Sequence, residues 1–310
     1  MFSVSICRRN ILFNAPFPWP IGVVGFMAFP ELTTGSDEEK EKALKILAGD
    51  PFFCVHELGS LSDEMWAKAK EMFKGKTLVR CLQPDILGQK LDIGSTDRSE
   101  RRKAVKYITG EIEKAAKLGL KAVAMCSGPD PGPAKRDEAV RNTLDSLRTI
   151  CRTAAKHGLN VVFEVFDRDY DKRLLMGPTK EAVETLRTLR ADYGNIGLLW
   201  DLSHAPMLNE TPSVLEEVND VLVHIHIGCA KKVDDGFLDS HPGFYTPGAV
   251  NGIDEVAELL KTLYRIGYTG AVSFEVKPEP TQTSLEIVNT AKGVLVTAYY
   301  KALESVLSSV

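Results

Sequence analysis

A chain of 310 residues that is 44% hydrophobic and 26% charged has enough apolar material for a sizeable core and an ordinary soluble surface. A net charge of −4, with no Lys/Arg block longer than three residues, speaks against a duplex-binding protein, which needs a basic stripe to displace counterions. The longest clean apolar run, IGVVGFMAF at 21–29, is too short to span a bilayer, and MFSVSICRRN at the N-terminus lacks the continuous apolar stretch of a signal peptide.

Residues 1–21 read as an N-terminal extension, Pro-rich at 16–20. From residue 22 onward, short apolar runs alternate with helical patterns. The runs are GVVGFMAF (22–29), FFCVHEL (52–58), TLVRCL (77–82), AVAMCSG (122–128), NVVFEVF (160–166), IGLLWDL (196–202), VLVHIHI (221–227) and AVSFEV (271–276). They are nearly continuous in apolar residues, as parallel strands covered on both faces should be. Between them, Ser36 with Glu39 forms a capping box, Ser62 starts a helix, and Gly119 and Gly158 close the helices over 99–118 and 137–157. Thr179 is expected to cap KEAVETLRTLR, and 252–266 and 283–307 give the last helices. Eight β-α units predict a single-domain α/β fold, a (β/α)₈ TIM barrel over 22–310. No G-x-G-x-x-G follows the first strand, which disfavours a doubly wound sheet.

In such a barrel, polar residues at the C-terminal ends of strands form the active site. Four consecutive strands end in Glu164, Asp201, His226 and Glu275. Three carboxylates meeting at one mouth repel one another, and a divalent cation removes the conflict. Three oxygen donors and one nitrogen, with no thiolate, suit Mn²⁺ first, with Mg²⁺ or Co²⁺ as alternatives. His224, two residues before His226, shares its strand face and would support it. Glu57 follows the second strand, within reach of a substrate hydroxyl or a salt bridge at the mouth, while His56 faces the helix layer. Phe244 and Tyr245 are candidates for a lid, and His241 for a substrate contact. The six cysteines are scattered with no C-x-x-C pair, which fits a reduced, cytoplasmic protein.

FEVFDRDY (163–170), WDLSH (200–204), HIHIG (224–228) and GYTGAVSFEV (267–276) together resemble the xylose isomerase-like TIM-barrel superfamily. The resemblance is to its sugar-phosphate isomerase/epimerase group, which includes the ketose 3-epimerases. It implies Glu164, Asp201, His226 and Glu275 as metal ligands, and His204, Arg168 and Lys231 or Lys232 as substrate-binding residues. Tyr170 stands where those epimerases carry a glutamate. The implied activity is metal-dependent isomerisation or epimerisation of a carbohydrate, with Glu164 and Glu275 moving a proton through an enediolate. Two alternatives stay open: a lyase performing β-elimination on 3-keto-glycosides, cleaving C- or O-glycosides, and a sugar-binding barrel without turnover. The three-zinc abasic-site endonucleases of the superfamily need a histidine after the third strand, where this chain has LVRCLQPD. The expected partner is a small carbohydrate, with no nucleic acid or membrane, and the expected assembly is a homo-oligomer.

Overall fold

The computed structural model describes residues 2–308. Eight parallel strands close into the expected barrel: β3 (Ile21–Val24), β4 (Val55–Leu58), β5 (Thr77–Cys81), β6 (Ala122–Cys126), β7 (Asn160–Glu164), β8 (Ile196–Asp201), β9 (Leu222–Gly228) and β13 (Ala271–Glu275), the last pairing with both β9 and β3. Before them, β1 (Ser3–Arg8) and β2 (Ile11–Pro16) form an antiparallel hairpin. Its turn residues Arg9 and Asn10 both have positive φ, the backbone that a two-residue hairpin needs. The extension packs against the C-terminal helix and the segment that leads into β13. Phe17 sits edge-on to Tyr299 of the C-terminal helix at 5.1 Å, the Tyr299 hydroxyl donates to the Pro16 carbonyl at 2.6 Å, and Trp19 donates to the Tyr268 carbonyl at 2.8 Å.

The main core lies between strands and helices, where outward residues such as Val23, Val123, Phe163, Trp200 and Phe274 are buried. Local signals behave as expected at Ser36, whose side chain and Glu39 form the reciprocal box, and at Gly119, which ends its helix in the left-handed region at φ 77°. Thr179 departs from expectation. It begins the helix Thr179–Arg190 rather than capping it, because Glu210 accepts both its amide and its hydroxyl, at 2.8 and 2.6 Å.

Small residues line the barrel interior: Val55, Val79, Cys81, Ala124 and Val162, with Leu199. They leave a cavity of about 330 Å³ at the N-terminal mouth, bounded by strand starts such as Thr77, Ala122, Asn160 and Ala271, with Glu57 and His224 at its inner end. One irregularity shapes β9. Leu198 pairs with Leu222 but Leu199 with His224, so Val223 is the extra residue of a bulge. Gly197 makes room for it, since a Cβ there would lie 2.3 Å from Val223 Cγ1. Past the bulge, His224 and His226 both point inward, ring centroids 5.2 Å apart.

His56 faces the helix layer as expected. It is fully buried, its ring 4.4 Å from that of Phe73, and neither nitrogen makes a well-formed hydrogen bond. Burial drives its pKa down to about 3. The unfolded chain takes up a proton at this residue below about pH 6.5 and the folded chain does not, so stability falls as pH drops through that window. Between pH 7 and pH 5 the loss is about 2 kcal/mol at this residue. Urea unfolding of wild type and His56→Phe at the two pH values should show the variant losing about 2 kcal/mol less.

Candidate active site

Glu164, Asp201, His226 and Glu275 come to the C-terminal mouth from β7, β8, β9 and β13 because each ends, or nearly ends, its strand. All four are buried, and one ligand atom from each lies within 4.8 Å of the others. His226 Nδ1 lies 2.6 Å from Glu275 Oε2 and 3.8 Å from Glu164 Oε1. Gly228 allows β9 and β13 to approach here, since a Cβ would stand 2.3 Å from the Glu275 carbonyl oxygen. Gln83 donates to Glu164 Oε2 at 2.8 Å and the Ser203 amide donates to Asp201 Oδ1 at 2.7 Å. The second oxygens, Glu164 Oε1 and Asp201 Oδ2, are buried without any hydrogen-bond partner. Buried carboxylate oxygens left unpaired are costly. Two of them directed into one cluster of donors fit a divalent cation, which these four residues would hold.

Beside this cluster, Asp239 Oδ1 is shared by His204 Nε2 at 3.2 Å and His241 Nε2 at 2.7 Å. His204 Nδ1 donates to the Val165 carbonyl at 2.9 Å. Atoms of Asp201, His204 and His241 also lie within 4.8 Å of one another. Burial opposes charge on His204, yet Asp239 and Asp201 outweigh it and hold its pKa well above the ordinary histidine value. His241 behaves alike: burial lowers it, Glu275 and Asp239 raise it, and it settles at about 9. The two carboxylates flanking the centre are driven apart. Burial and the neighbouring Glu275 raise Glu164, whereas His241 and His226 overcome burial and lower Glu275.

Above the cluster opens a cavity of about 350 Å³. Its inner end carries Glu164, His226, Asp239, His241 and Glu275, and its outer wall is apolar, with Phe26, Met27, Pro30 and Leu87. Lys172 and Lys277 also line it. Lys172 reaches Asp239 Oδ2 at 3.3 Å and Asp171 at 2.7 Å.

Several residues read as substrate contacts lie outside the lining of this cavity. Arg168 turns away, its guanidinium donating to the Leu175 carbonyl and Glu181, each at 2.8 Å. Lys232 is exposed on a small antiparallel sheet of β10 (Ala230–Val233), β11 (Gly236–Leu238) and β12 (Ala249–Val250), and Lys231 beside it pairs with Glu279. Tyr170 packs edge-on against Phe237 with centroids 5.5 Å apart. Phe244 is buried and Tyr245 points outward at 63% exposure, so neither lines the cavity as a lid. Glu57 lies below the centre rather than at the substrate, bonded to His224 and His226. His204 lies buried against Asp201 and Glu164, behind the residues that line the cavity. The reading of the sequence did not single out Asp239, Gln83 or Lys172. The D-x-H spacing of Asp239 and His241 is the one signal that could have found the first.

A closed parallel barrel with a buried carboxylate–imidazole cluster at its C-terminal mouth defines the class of TIM-barrel proteins that carry their site on that face. The sequence pattern of the xylose isomerase-like TIM barrel matches residues 47–291, and the chain belongs to that family. Its structural neighbours include an L-ribulose 3-epimerase at 19% identity and TM-score 0.70, covering 93% of this chain and 98% of that one. The 3-keto-D-glucoside 4-epimerase YcjR from E. coli is similar at 19% identity and TM-score 0.64, covering 89% and 98%. A third, the IolI protein with a bound zinc atom, is similar at 18% identity and TM-score 0.69, covering 91% and 99%. No curated protein matches this sequence. At such identities the likeness speaks for the fold. Among the described residues no helix is long and apolar enough to cross a membrane.

Proposed function

We propose that this chain is a divalent-metal-dependent sugar isomerase or epimerase, with Mn²⁺ as the preferred ion. The observation that carries the reading is the convergence of four buried donors at the strand ends, with Glu164 Oε1 and Asp201 Oδ2 left without partners. A bound divalent ion supplies Lewis-acid polarisation of a substrate carbonyl. Gln83 fixes the Glu164 carboxylate through one oxygen, and Glu164 would take a proton from the carbon next to that carbonyl. Glu275, entering from a different strand and carrying a proton taken up from solvent, would give it to the resulting enediolate, and Glu164 would release its own proton to solvent to close the cycle. Return to the opposite face of the same carbon gives an epimer, and return to the neighbouring carbon gives the aldose–ketose isomer. His204, with Nδ1 on the Val165 carbonyl and Nε2 on Asp239, would hold Asp239 in place, while Asp239, His241 and Lys172, which line the cavity, would meet sugar hydroxyls, and the apolar outer wall excludes water.

That same wall favours a second reading. Phe26, Met27, Pro30 and Leu87 would accommodate an apolar aglycone, and the enediolate of a 3-keto-glycoside can expel its neighbouring substituent. Incubation of the Mn²⁺-loaded protein in D₂O with a panel of ketoses and 3-keto-glycosides separates the two. Deuterium at the carbon that changes configuration, in re-isolated sugar, is the expected result. Release of the aglycone, without exchange into any ketose, would replace the isomerase reading with the lyase.

A further inference from the structure

Beneath the donors just described lies a second polar layer. Glu57 comes from β4 and is fully buried on the barrel axis. Its Oε2 lies 3.0 Å from His226 Nε2 and its Oε1 lies 2.8 Å from His224 Nε2. Ser273 Oγ reaches His224 Nε2 at 3.2 Å, and Cys81 Sγ lies 3.7 Å from Glu57 Oε2. Among the described residues Glu57 has ion pairs to these two histidines and to no lysine or arginine. A carboxylate so placed gains its compensation from two imidazole N–H groups, with the Cys81 thiol as a weak third donor.

The geometry divides the His226 ring between two levels. Nδ1 faces Glu164 and Glu275 above, and Nε2 faces Glu57 below. A histidine that binds a cation through Nδ1 must carry its proton on Nε2, and an acceptor at that position fixes both the tautomer and the ring plane. Glu57 is that acceptor. His224 takes the other oxygen, so the carboxylate cannot rotate away. This also accounts for two histidines on one face of one strand: the upper one faces the ion and the lower one holds the acceptor.

We propose that Glu57, anchored by His224, is a positioning residue that presents His226 Nδ1 to the metal and sets the affinity of the centre. The inference rests on the metal-dependent reading above, and its test separates the two. Full-length protein stripped with chelator is titrated with Mn²⁺ or Co²⁺ alone. Wild type should bind one equivalent, and Glu57→Gln, matched in size, should bind about 10- to 100-fold more weakly. A glutamine offers one carbonyl oxygen to two N–H donors and sets its own N–H₂ against the other. The visible absorption of bound Co²⁺ should change with it, a signature that general destabilisation does not produce. Glu57→Asp, which keeps the charge and shortens the reach, should fall between the two and stands in if Glu57→Gln does not fold. His224→Asn should cost less than Glu57→Gln.

Wild-type affinity and an unaltered Co²⁺ spectrum in Glu57→Gln would overturn this role while leaving the metal centre in place. A wild-type stoichiometry of two that drops to one in Glu57→Gln would overturn it as well, by giving Glu57, His224 and His226 an ion of their own. Failure of the wild type to bind any divalent ion would remove the metal-dependent reading itself, and this one with it.

Discussion

Glu164→Gln and Glu275→Gln should each lower turnover by about 10²–10⁴-fold while the chain stays folded. Both side chains are buried at the strand ends, and glutamine matches glutamate in volume, so no cavity opens. What changes is the free oxygen. In Glu164→Gln the amide must turn its carbonyl to the Gln83 donor, which holds Glu164 Oε2 at 2.8 Å, and its N–H₂ then points where an acceptor is required. In Glu275→Gln the group facing His226 Nδ1 at 2.6 Å loses its charge and cannot return to a basic form. Stability should move the other way for one of them. Burial and Glu275 both raise Glu164, so its folded pKa exceeds its unfolded value. The ionised carboxylate therefore weakens the ion-free fold as pH rises through that folded pKa. Metal-free Glu164→Gln should melt above metal-free wild type at alkaline pH. Steady-state rates and melting curves of both variants check the pair, and wild-type turnover in either would remove it from the proton-transfer role.

Removal of the divalent ion should abolish turnover and lower the melting temperature, and Mn²⁺ should restore both. The ion-free cluster keeps Glu164, Asp201 and Glu275 close together, with two carboxylate oxygens unpaired. An ion held only by the folded state adds about 4 kcal/mol at a thousandfold excess over its dissociation constant. For a chain of this size that corresponds to a shift on the order of 8 °C. Differential scanning fluorimetry against Mn²⁺, Co²⁺, Mg²⁺ and Zn²⁺, with metal analysis of the purified protein, gives the readout. Asp201→Asn, which removes the charge but keeps the Ser203 acceptor, should erase the shift. A melting temperature indifferent to all four ions would leave the cluster without a metal.

The four strand-end donors were legible because a parallel strand buried on both faces tolerates a charged group only where it leaves the sheet. Their positions follow from the end of each apolar run, without knowledge of any loop. The loops obey other rules. Asp167 accepts the backbone N–H groups of Tyr170, Asp171, Lys172 and Arg173, and that tight wrap sends Lys172 to the mouth and Arg168 away from it. Asp239 reaches the site because its amide donates to Asp171 at 3.0 Å, between segments 68 positions apart. No local pattern encodes such a contact. Glu57, read as a substrate contact or a salt-bridge partner, pairs with His224 and His226 deeper in the barrel. The stagger between strands of a closed barrel sets depth, and a run of apolar letters does not report it.

The hollow at the N-terminal mouth has a consequence for how this molecule can change over time. In barrels of this kind the upper loops carry chemistry and the lower end carries stability. Here Ala122, Val79 and Val162 bound an opening on the lower side, so larger residues there could harden the scaffold without crossing into the catalytic face. Glu57 and His224 are the exception. They roof that lower space and hold the His226 ring at once, so a substitution at either should alter robustness and reactivity together.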